Sequence, residues 1–454
     1  MTAVEARSVW VLVPGDDHTI LVASDGSMPL RHVELEAGET TIAAVRRRLL
    51  PNLGHPGPIL DCYIVQPDDD ADPAVPVPVL LQLAQPPAGW TPPAGHRWSP
   101  IDELELEVGR EVEPGIRPLL FETLDVHRGL RPPDPLRPKW TAPDWFARAS
   151  TWIERTLVEA GLGAPTEIVQ HRHWGISALM NVATDHGRYW FKAVFPYFAH
   201  EPALTATLDE LLPGSVARVI GVDAGEGWLL MEHIERDEDA VVDPTVHREP
   251  VAQLVDLQRR FVGRDAGELA ATGWAVRPLA GLPDAFASAI ADPVIRAWVD
   301  VSPERVSEIV KWLRGAVAEI GAVGVPDTLV HGDFHPNNVM VSGGRHVIFD
   351  WSDAAYSHPF LDVGAWSYWF RGQPAELAAL WESFYAAWDG EPWLAAMRAV
   401  QPTFEGVVGA YHFVSYAGIV AGLDVHRRPE HADGLAGFFK AVDAVAPSSH
   451  AQAR

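Results

Sequence analysis

Leu329–Asp353 reads LVHGDFHPNNVMVSGGRHVIFDWSD. Two carboxylates, Asp333 and Asp350, flank two short apolar runs, Asn338–Val341 and His346–Phe349, joined by Ser342-Gly343-Gly344-Arg345. Adjacent glycines suit a two-residue hairpin turn, because both central positions need positive φ. Such a hairpin folds the chain back and predicts one site holding both aspartates. Asn338 lies five residues after Asp333.

That Asp-to-Asn interval is the one found in a kinase catalytic loop. Three stretches occur in order: His331-Gly332-Asp333-Phe334-His335-Pro336-Asn337-Asn338, Ile348-Phe349-Asp350-Trp351 and Pro359-Phe360-Leu361-Asp362. Together they resemble the aminoglycoside phosphotransferase family of small-molecule kinases, over roughly residues 144–445. The resemblance implies an α+β, protein-kinase-like fold of two lobes, the first β-rich and the second helical. It also implies ATP as phosphoryl donor, with GTP admissible, and Mg²⁺. Asp333 would orient the acceptor hydroxyl and take its proton, while Asn338 and Asp350 would hold the metal. His331 and Asp362 would support the loop. His335 is open between loop packing and substrate contact.

The chain has 454 residues, enough for two or three domains, and nearly half of it is apolar. Thirty-five basic against sixty-one acidic residues leave a net charge of −26, which disfavours nucleic acid and anionic membranes as partners. The single cysteine, Cys62, excludes an intramolecular disulfide and a cysteine-rich metal site. Neither a targeting segment nor a membrane span is visible, so the expectation is a cytoplasmic protein. Oligomeric state is not readable.

Residues 1–130 hold short β-like runs at Val9–Val13, Thr19–Ala23, Ile59–Gln66 and Val75–Leu83, the last pushed toward a sheet edge by Pro76 and Pro78. One helix is expected over Ile42–Leu50, capped by Thr40 or Thr41. This order, with its Gly38-Glu39-Thr40 turn, resembles a smaller α/β domain of the Nudix hydrolase family. Registered on Glu39, the family's box keeps Arg47, Leu49 and Gly54. It has Val33 for its first Gly, and Arg48 and Pro51-Asn52 where that family carries catalytic and metal-binding glutamates. The resemblance therefore implies a degenerate, non-hydrolytic domain; an unrelated α+β unit is the alternative.

Arg131–Pro143 carries five prolines and reads as a stiff linker. Residues 144–234 are expected to form the first kinase-like lobe and 235–446 the second, with a disordered tail at 447–454. Asp144 is expected to cap a helix to about Ala160. Strand-like runs follow at Ile168–His173, Leu179–Thr184 and Tyr189–Val194, then Val216–Val222 and Trp228–Met231. Lys192 is an isolated cation in an apolar run, the type needed to hold phosphates away from water. By resemblance Glu201 fixes that lysine, and Glu232-His233-Ile234 is the hinge that reads adenine. The glycine loop is thin: Gly175 alone, with Ser177 and Asn181 as phosphate-facing donors. No P-loop sequence occurs.

The acidic run Glu235–Asp243 reads as a solvated loop or a contact for a cationic substrate. Later helices are expected at Leu377–Trp388, at Leu394–Leu423 with a break near Pro402, and at Gly434–Ala444. Tyr356, Trp366, Tyr368, Trp369, Phe404, Tyr411, His412 and Tyr416, with Asp353 or Glu405, are candidates for the acceptor pocket, although such stripes are more often core. The expected function is transfer of a γ-phosphoryl group to a hydroxyl of a small molecule such as an aminoglycoside, amino sugar or related metabolite. The competing class is a non-catalytic pseudokinase joined to a pseudo-Nudix module.

Overall fold

A computed structural model describes residues 6–16, 18–65, 75–104, 112–237, 243 and 245–447. The chain forms two compact units: Met1–Phe195 with Leu423–Glu430, and Pro196–Gly422 with His431–Arg454.

In the first unit, strands β1 (Ala6–Leu12), β2 (Thr19–Ala23), β3 (Leu30–Glu34), β4 (Ile59–Ile64), β5 (Val77–Leu83) and β6 (His96–Pro100) precede the proline-rich stretch. The main sheet runs β3-β1-β5-β4, and β2 pairs with β6. β1 and β5 are parallel, with Val9 opposite Val79. Alternation along β1 divides the packing. Val9 and Val11 face Ile42 and Val45 of helix Thr41–Arg48, whereas Trp10 and Leu12 face Leu119 and Leu120 of helix Arg117–His127. The sheet is thus covered on both faces.

β5 departs from the expected sheet edge: it lies between β1 and β4. Pro78 is only the second residue of that strand and still contributes its carbonyl, accepting from Val65 N at 3.0 Å. The lost donor therefore falls at the start of the ladder, where proline is tolerated. Thr40 caps the first helix, its hydroxyl accepting from Ala43 N at 3.2 Å. The proline-rich stretch is packed rather than free. Trp140 is buried and donates to Trp174 O at 3.1 Å, and Arg137 reaches Asp61 and Gln82.

Asp144 occupies the helix-start position, but its carboxylate pairs with Arg148 at 2.9 Å and does not cap the backbone. Helix Trp145–Glu159 lays Trp145 and Trp152 against Phe191, in an antiparallel sheet of β7 (Glu167–His173), β8 (Ser177–Thr184) and β9 (Gly187–Val194). The late segment Leu423–Glu430 completes this unit. Arg427 makes a buried two-oxygen contact with Asp61 and bonds Asp424 at 2.6 Å, while Glu430 accepts from Gly175 N at 3.0 Å. Burial alone would push the Asp61 carboxyl upward, but Arg427 and Arg137 outweigh it and hold its pKa below the usual range.

The second unit opens with helix Glu201–Leu211 and the antiparallel pair β10 (Val219–Asp223) and β11 (Trp228–Glu232). Helices Arg248–Arg259, Pro303–Gly321, Pro374–Ala387 and Leu394–Gly422 contribute Leu254, Leu313, Phe384 and Phe404 to its core. Leu394–Gly422 is continuous through Pro402, contrary to the expected break. Phe404, Val407 and Val408 are buried just beyond the proline, and that packing carries the helix past one missing hydrogen bond. Among the described residues no helix is long and apolar enough to cross a membrane. Within the acidic run, residues 238–242 lie outside the described residues, as do 448–454 of the tail.

Candidate active site

The hairpin forms in the second unit. β13 (Val339–Ser342) pairs with β14 (Arg345–Ile348), closing Ser342 on Arg345. Gly343 and Gly344 have φ of 56° and 70°, the double left-handed turn that side chains resist. Asp237, part of the acidic run read as solvated, binds this turn: its carboxylate accepts from Gly343 N at 2.9 Å and Gly344 N at 3.0 Å. Those N–H groups hold the Asp237 carboxyl below its ordinary pKa.

At the open end of the hairpin Phe349 N donates to Asn338 O at 3.1 Å, so Asn338 and Asp350 leave the same end of one ladder. Asn338 closes the loop on itself: its amide nitrogen donates to Asp333 O at 2.9 Å and Asp333 Oδ2 at 3.2 Å. That assignment turns the amide oxygen the other way. His335 Nδ1 accepts from Asn337 N at 3.1 Å, and Nε2 lies 3.3 Å from Asp333 Oδ2. With Nδ1 used as acceptor, a ring proton on Nε2 would face the carboxylate. His335 Nε2 thus lies beside both the Asp333 carboxylate and, at 3.4 Å, the Asn338 amide nitrogen. The Asp333 side chain keeps 46% of its surface open.

Behind the loop, β12 (Thr328–Val330) pairs with β15 (Ala355–Ser357) and delivers His331 and Gly332. Gly332 has φ of 82°, and a β-carbon there would collide with the Asp353 carbonyl. Asp362 is fully buried and accepts from His331 N at 3.0 Å, Gly332 N at 2.8 Å and Gln258 Nε2 at 2.9 Å. Burial lifts its carboxyl to about 7, against the pull of those donors. His331 Nε2 bonds Phe349 O at 3.0 Å and Nδ1 accepts from Asp333 N at 3.3 Å, and burial lowers its pKa, so the ring is neutral. His331 and Asp362 thus brace the loop from beneath.

Asp350 is exposed and has φ of 63°, a left-handed backbone that aspartate adopts more readily than most residues. Ser352 Oγ lies 2.7 Å from Asp350 Oδ1 and 2.8 Å from Glu201 Oε2. Its one hydrogen donates to one carboxylate at a time. A carboxylate and an amide oxygen on one hairpin end are the hard donors Mg²⁺ takes, and that ion keeps few protein ligands. Among the described residues no three His, Cys, Asp or Glu side chains form a cation cage.

Asp353 is among the acceptor-pocket candidates. It accepts from Ser415 Oγ at 2.9 Å, and Arg277 Nη1 lies 3.3 Å from the same hydroxyl and stacks 5.0 Å over Tyr197. Burial, with the Asp333 charge adding, raises the Asp353 carboxyl to about 7. Burial also raises the Tyr416 phenol, reinforced by both aspartates, and lowers His412 to about 4. Tyr368 meets His412 edge-on at 6.3 Å, and Trp369, 40% exposed, lies 6.3 Å from the His335 ring. The other candidates separate: Trp366 and Phe404 are core, Tyr356 donates to Arg264 O, and Glu405 is bonded by Gln401 on the exposed face of helix Leu394–Gly422.

In the first unit Lys192 is buried on β9 opposite Leu179, and Ser177 Oγ accepts from Trp174 Nε1 at 2.6 Å. Glu201 is buried in the second unit at the Ser352 hydroxyl. Glu232 ends β11, donating its N–H to Arg218 O at 2.8 Å, with half-buried His233 and Ile234 following. Sequence reading missed Gln258, Ser352, Arg277 and Ser415. Gln258 had a signal, an amide on the apolar face of its helix; the others are polar residues among many.

The model of a family described as "Phosphotransferase enzyme family" matches residues 182–397. No curated protein matches the sequence. Among solved structures, macrolide 2'-phosphotransferase type I is 18% identical, with 64% of this chain and 97% of that chain aligned at a TM-score of 0.42. A choline/ethanolamine kinase family protein from Mesorhizobium loti is 15% identical, covering 67% and 96%, at 0.44. Aminoglycoside 2'-phosphotransferase-IIIa in a GDP complex is 14% identical, covering 65% and 97%, at 0.42. The stretch 182–397, which holds the Asp333 loop, the hairpin, Asp350 and Asp362, thus matches a family of phosphotransferases.

Proposed function

We propose that this protein transfers the γ-phosphoryl group of ATP, or of GTP, to a hydroxyl of a small molecule, in the range from aminoglycosides and amino sugars to related metabolites. The observation that carries the reading is the Asp333 carboxylate, open to an acceptor with Asn338 and His335 beside it. Phosphoryl transfer asks a protein for positioning and charge neutralisation more than for covalent chemistry. Asp333 accepts the acceptor's proton as that oxygen forms its bond to phosphorus and the bond to the nucleoside diphosphate breaks. Asn338 and Asp350 would hold the metal, and Mg²⁺ when bound would supply charge neutralisation at the phosphates. Lys192 steadies the α/β-phosphates, and the hinge Glu232–Ile234 reads the base. Asp353, with Tyr416 and His412, faces the acceptor. The family match supports small-molecule phosphotransfer.

The first domain we read as a degenerate, non-hydrolytic Nudix-like module. A sheet covered on both faces and the Glu39–Arg47 pair beside a capped helix support that reading, and Arg48, Pro51 and Asn52 stand where that family's glutamates would be. One observation favours a second reading, a nucleotide- or ligand-binding pseudokinase: Gly175 N, the thin loop's backbone donor, is taken by Glu430.

A mass-spectrometric screen with Mg-ATP over hydroxylated amines, sugars and antibiotics separates the two. A product one phosphoryl group heavier with wild type, and none with Asp333→Asn, is the expected result. Nucleotide binding with no product from any acceptor would favour the pseudokinase.

A further inference from the structure

Leu423–Glu430 follows helix Leu394–Gly422 in the chain, yet it packs in the first unit. Two of its anchors lie on the first domain. Arg427 holds both oxygens of Asp61 on β4, and His426 Nε2 lies 3.1 Å from Glu122 Oε2 on helix Arg117–His127. The segment is also closed on itself. Asp424 accepts from Arg427 Nη1 at 2.6 Å and from His426 N at 3.1 Å, and Arg428 Nε donates to Leu423 O at 3.1 Å.

Its far end meets the glycine loop. Glu430 Oε2 accepts from Gly175 N at 3.0 Å, across 255 positions of sequence. A β-carbon on Gly175 would lie 2.8 Å from that oxygen and 3.0 Å from Leu423 Cδ2, so the segment rests directly on the glycine. The loop's other bonds leave this contact as its link to the segment: Trp174 N donates to Ser177 O at 3.2 Å, Trp174 Nε1 to Ser177 Oγ at 2.6 Å, and Trp140 Nε1 to Trp174 O at 3.1 Å. A carboxylate on a backbone N–H takes the place a phosphate oxygen would take, and two anions do not share one such donor.

The contact is one that can be given up. Glu430 is half-buried, and desolvation lifts its carboxyl to about 7, with Asp61 and Asp424 adding and Arg427 and the Gly175 N–H opposing. A carboxylate penalised where it lies regains its ordinary acidity on moving into water. Asp61, held low by two guanidinium groups, has no such reason to leave.

We propose that Glu430 is an internal competitor for nucleotide phosphate: the Leu423–Glu430 segment, anchored on the first domain, holds the glycine loop shut, and nucleotide binds by displacing the carboxylate from Gly175 N. This rests on the phosphotransfer reading, in which the loop Trp174–Ser177 faces the phosphates. It gives the first domain a task that needs no hydrolysis, since Asp61 and Glu122 keep the segment in place.

Isothermal titration calorimetry on the full chain, with Mg-ATP and with adenosine, tests it. Expected is Mg-ATP binding at least about fivefold tighter in Glu430→Ala than in wild type, the scale of removing one competing charge-assisted hydrogen bond. Adenosine affinity stays unchanged, because adenosine carries no phosphate. Glu430→Gln, which keeps the shape and drops the charge, moves Mg-ATP binding the same way by less. His426→Ala loosens the anchor at Glu122 and also tightens Mg-ATP binding; it decides alone if Glu430→Ala fails to fold by circular dichroism. Mg-ATP affinity unchanged or weakened in Glu430→Ala overturns the proposal and leaves the phosphotransfer reading standing. An equal gain for adenosine, which a general loosening would give, does the same. Saturable nucleotide binding by neither wild type nor any variant overturns the proposal together with that reading.

Discussion

Residues 331–362 and residues 38–54 both place a carboxylate beside a glycine turn, yet they treat its charge in opposite ways. Asp333 is met by the Asn338 amide and the His335 ring, neither of them a permanent cation. Glu39 is met by the Arg47 guanidinium through two oxygens. A carboxylate met by groups without a fixed charge keeps its own for a proton or a metal; one locked to arginine has spent it on structure. The difference teaches that a motif's residues matter less than the partners that orient them.

The sharpest way to break this contrast is to neutralise one aspartate at a time. Asp333→Asn is expected to lower turnover by about 10³-fold, within the range for losing a positioned base, with nucleotide affinity unchanged. Asp350→Asn is expected to lose both turnover and Mg-dependent nucleotide binding. Steady-state kinetics beside calorimetric titration of nucleotide separates the two, and equal behaviour would collapse the assigned roles.

Next in size is the backbone beneath the loop. Gly332→Ala places a β-carbon against the Asp353 carbonyl at φ of 82° and is expected to cost about 1–3 kcal/mol, read as a lower urea midpoint. A neutral effect would mean the loop can relax away from β15.

Acid separates the two regions more gently. His331 has its pKa lowered by burial from 6.5, so below that pH the unfolded chain takes up a proton the folded chain refuses. Its contribution is present above pH 6.5 and is lost as pH falls below that value; the stability difference between wild type and His331→Gln should shrink there. Glu39 has its pKa lowered from 4.5, chiefly by the Arg47 hydrogen bonds, so its contribution holds above pH 4.5 and fades only in stronger acid. Unfolding midpoints across pH should place the first change above the second. Smallest of all, Glu39→Gln near neutral pH is expected to cost below about 1 kcal/mol, as surface ion pairs do, and to leave phosphotransfer untouched.

What could be read in advance follows the range of the interactions. The hairpin was legible because Gly343-Gly344 dictates its own turn, and the five-residue interval from Asp333 to Asn338 is closed by local bonds from one amide. The candidate metal pair follows from the same ladder. Asp237 reaching Gly344 across 107 positions was not legible, nor was Gln258 reaching Asp362 across 104. Those bonds depend on how whole elements pack, and no local preference announces them. Pro78 and Pro402 misled for the same reason: tertiary packing tolerated each against its local tendency.

The Asp61–Arg427 contact has a consequence in time. Asp61 is buried in the first unit, and the arginine that neutralises it lies 366 residues later. At ordinary synthesis rates that separation is about 20–70 s on the ribosome. During that interval the emerged chain offers Asp61 the Arg137 counter-charge without the final partner. Asp61 thus emerges long before its pairing is complete, and a fragment ending before residue 423 would lack that pairing permanently.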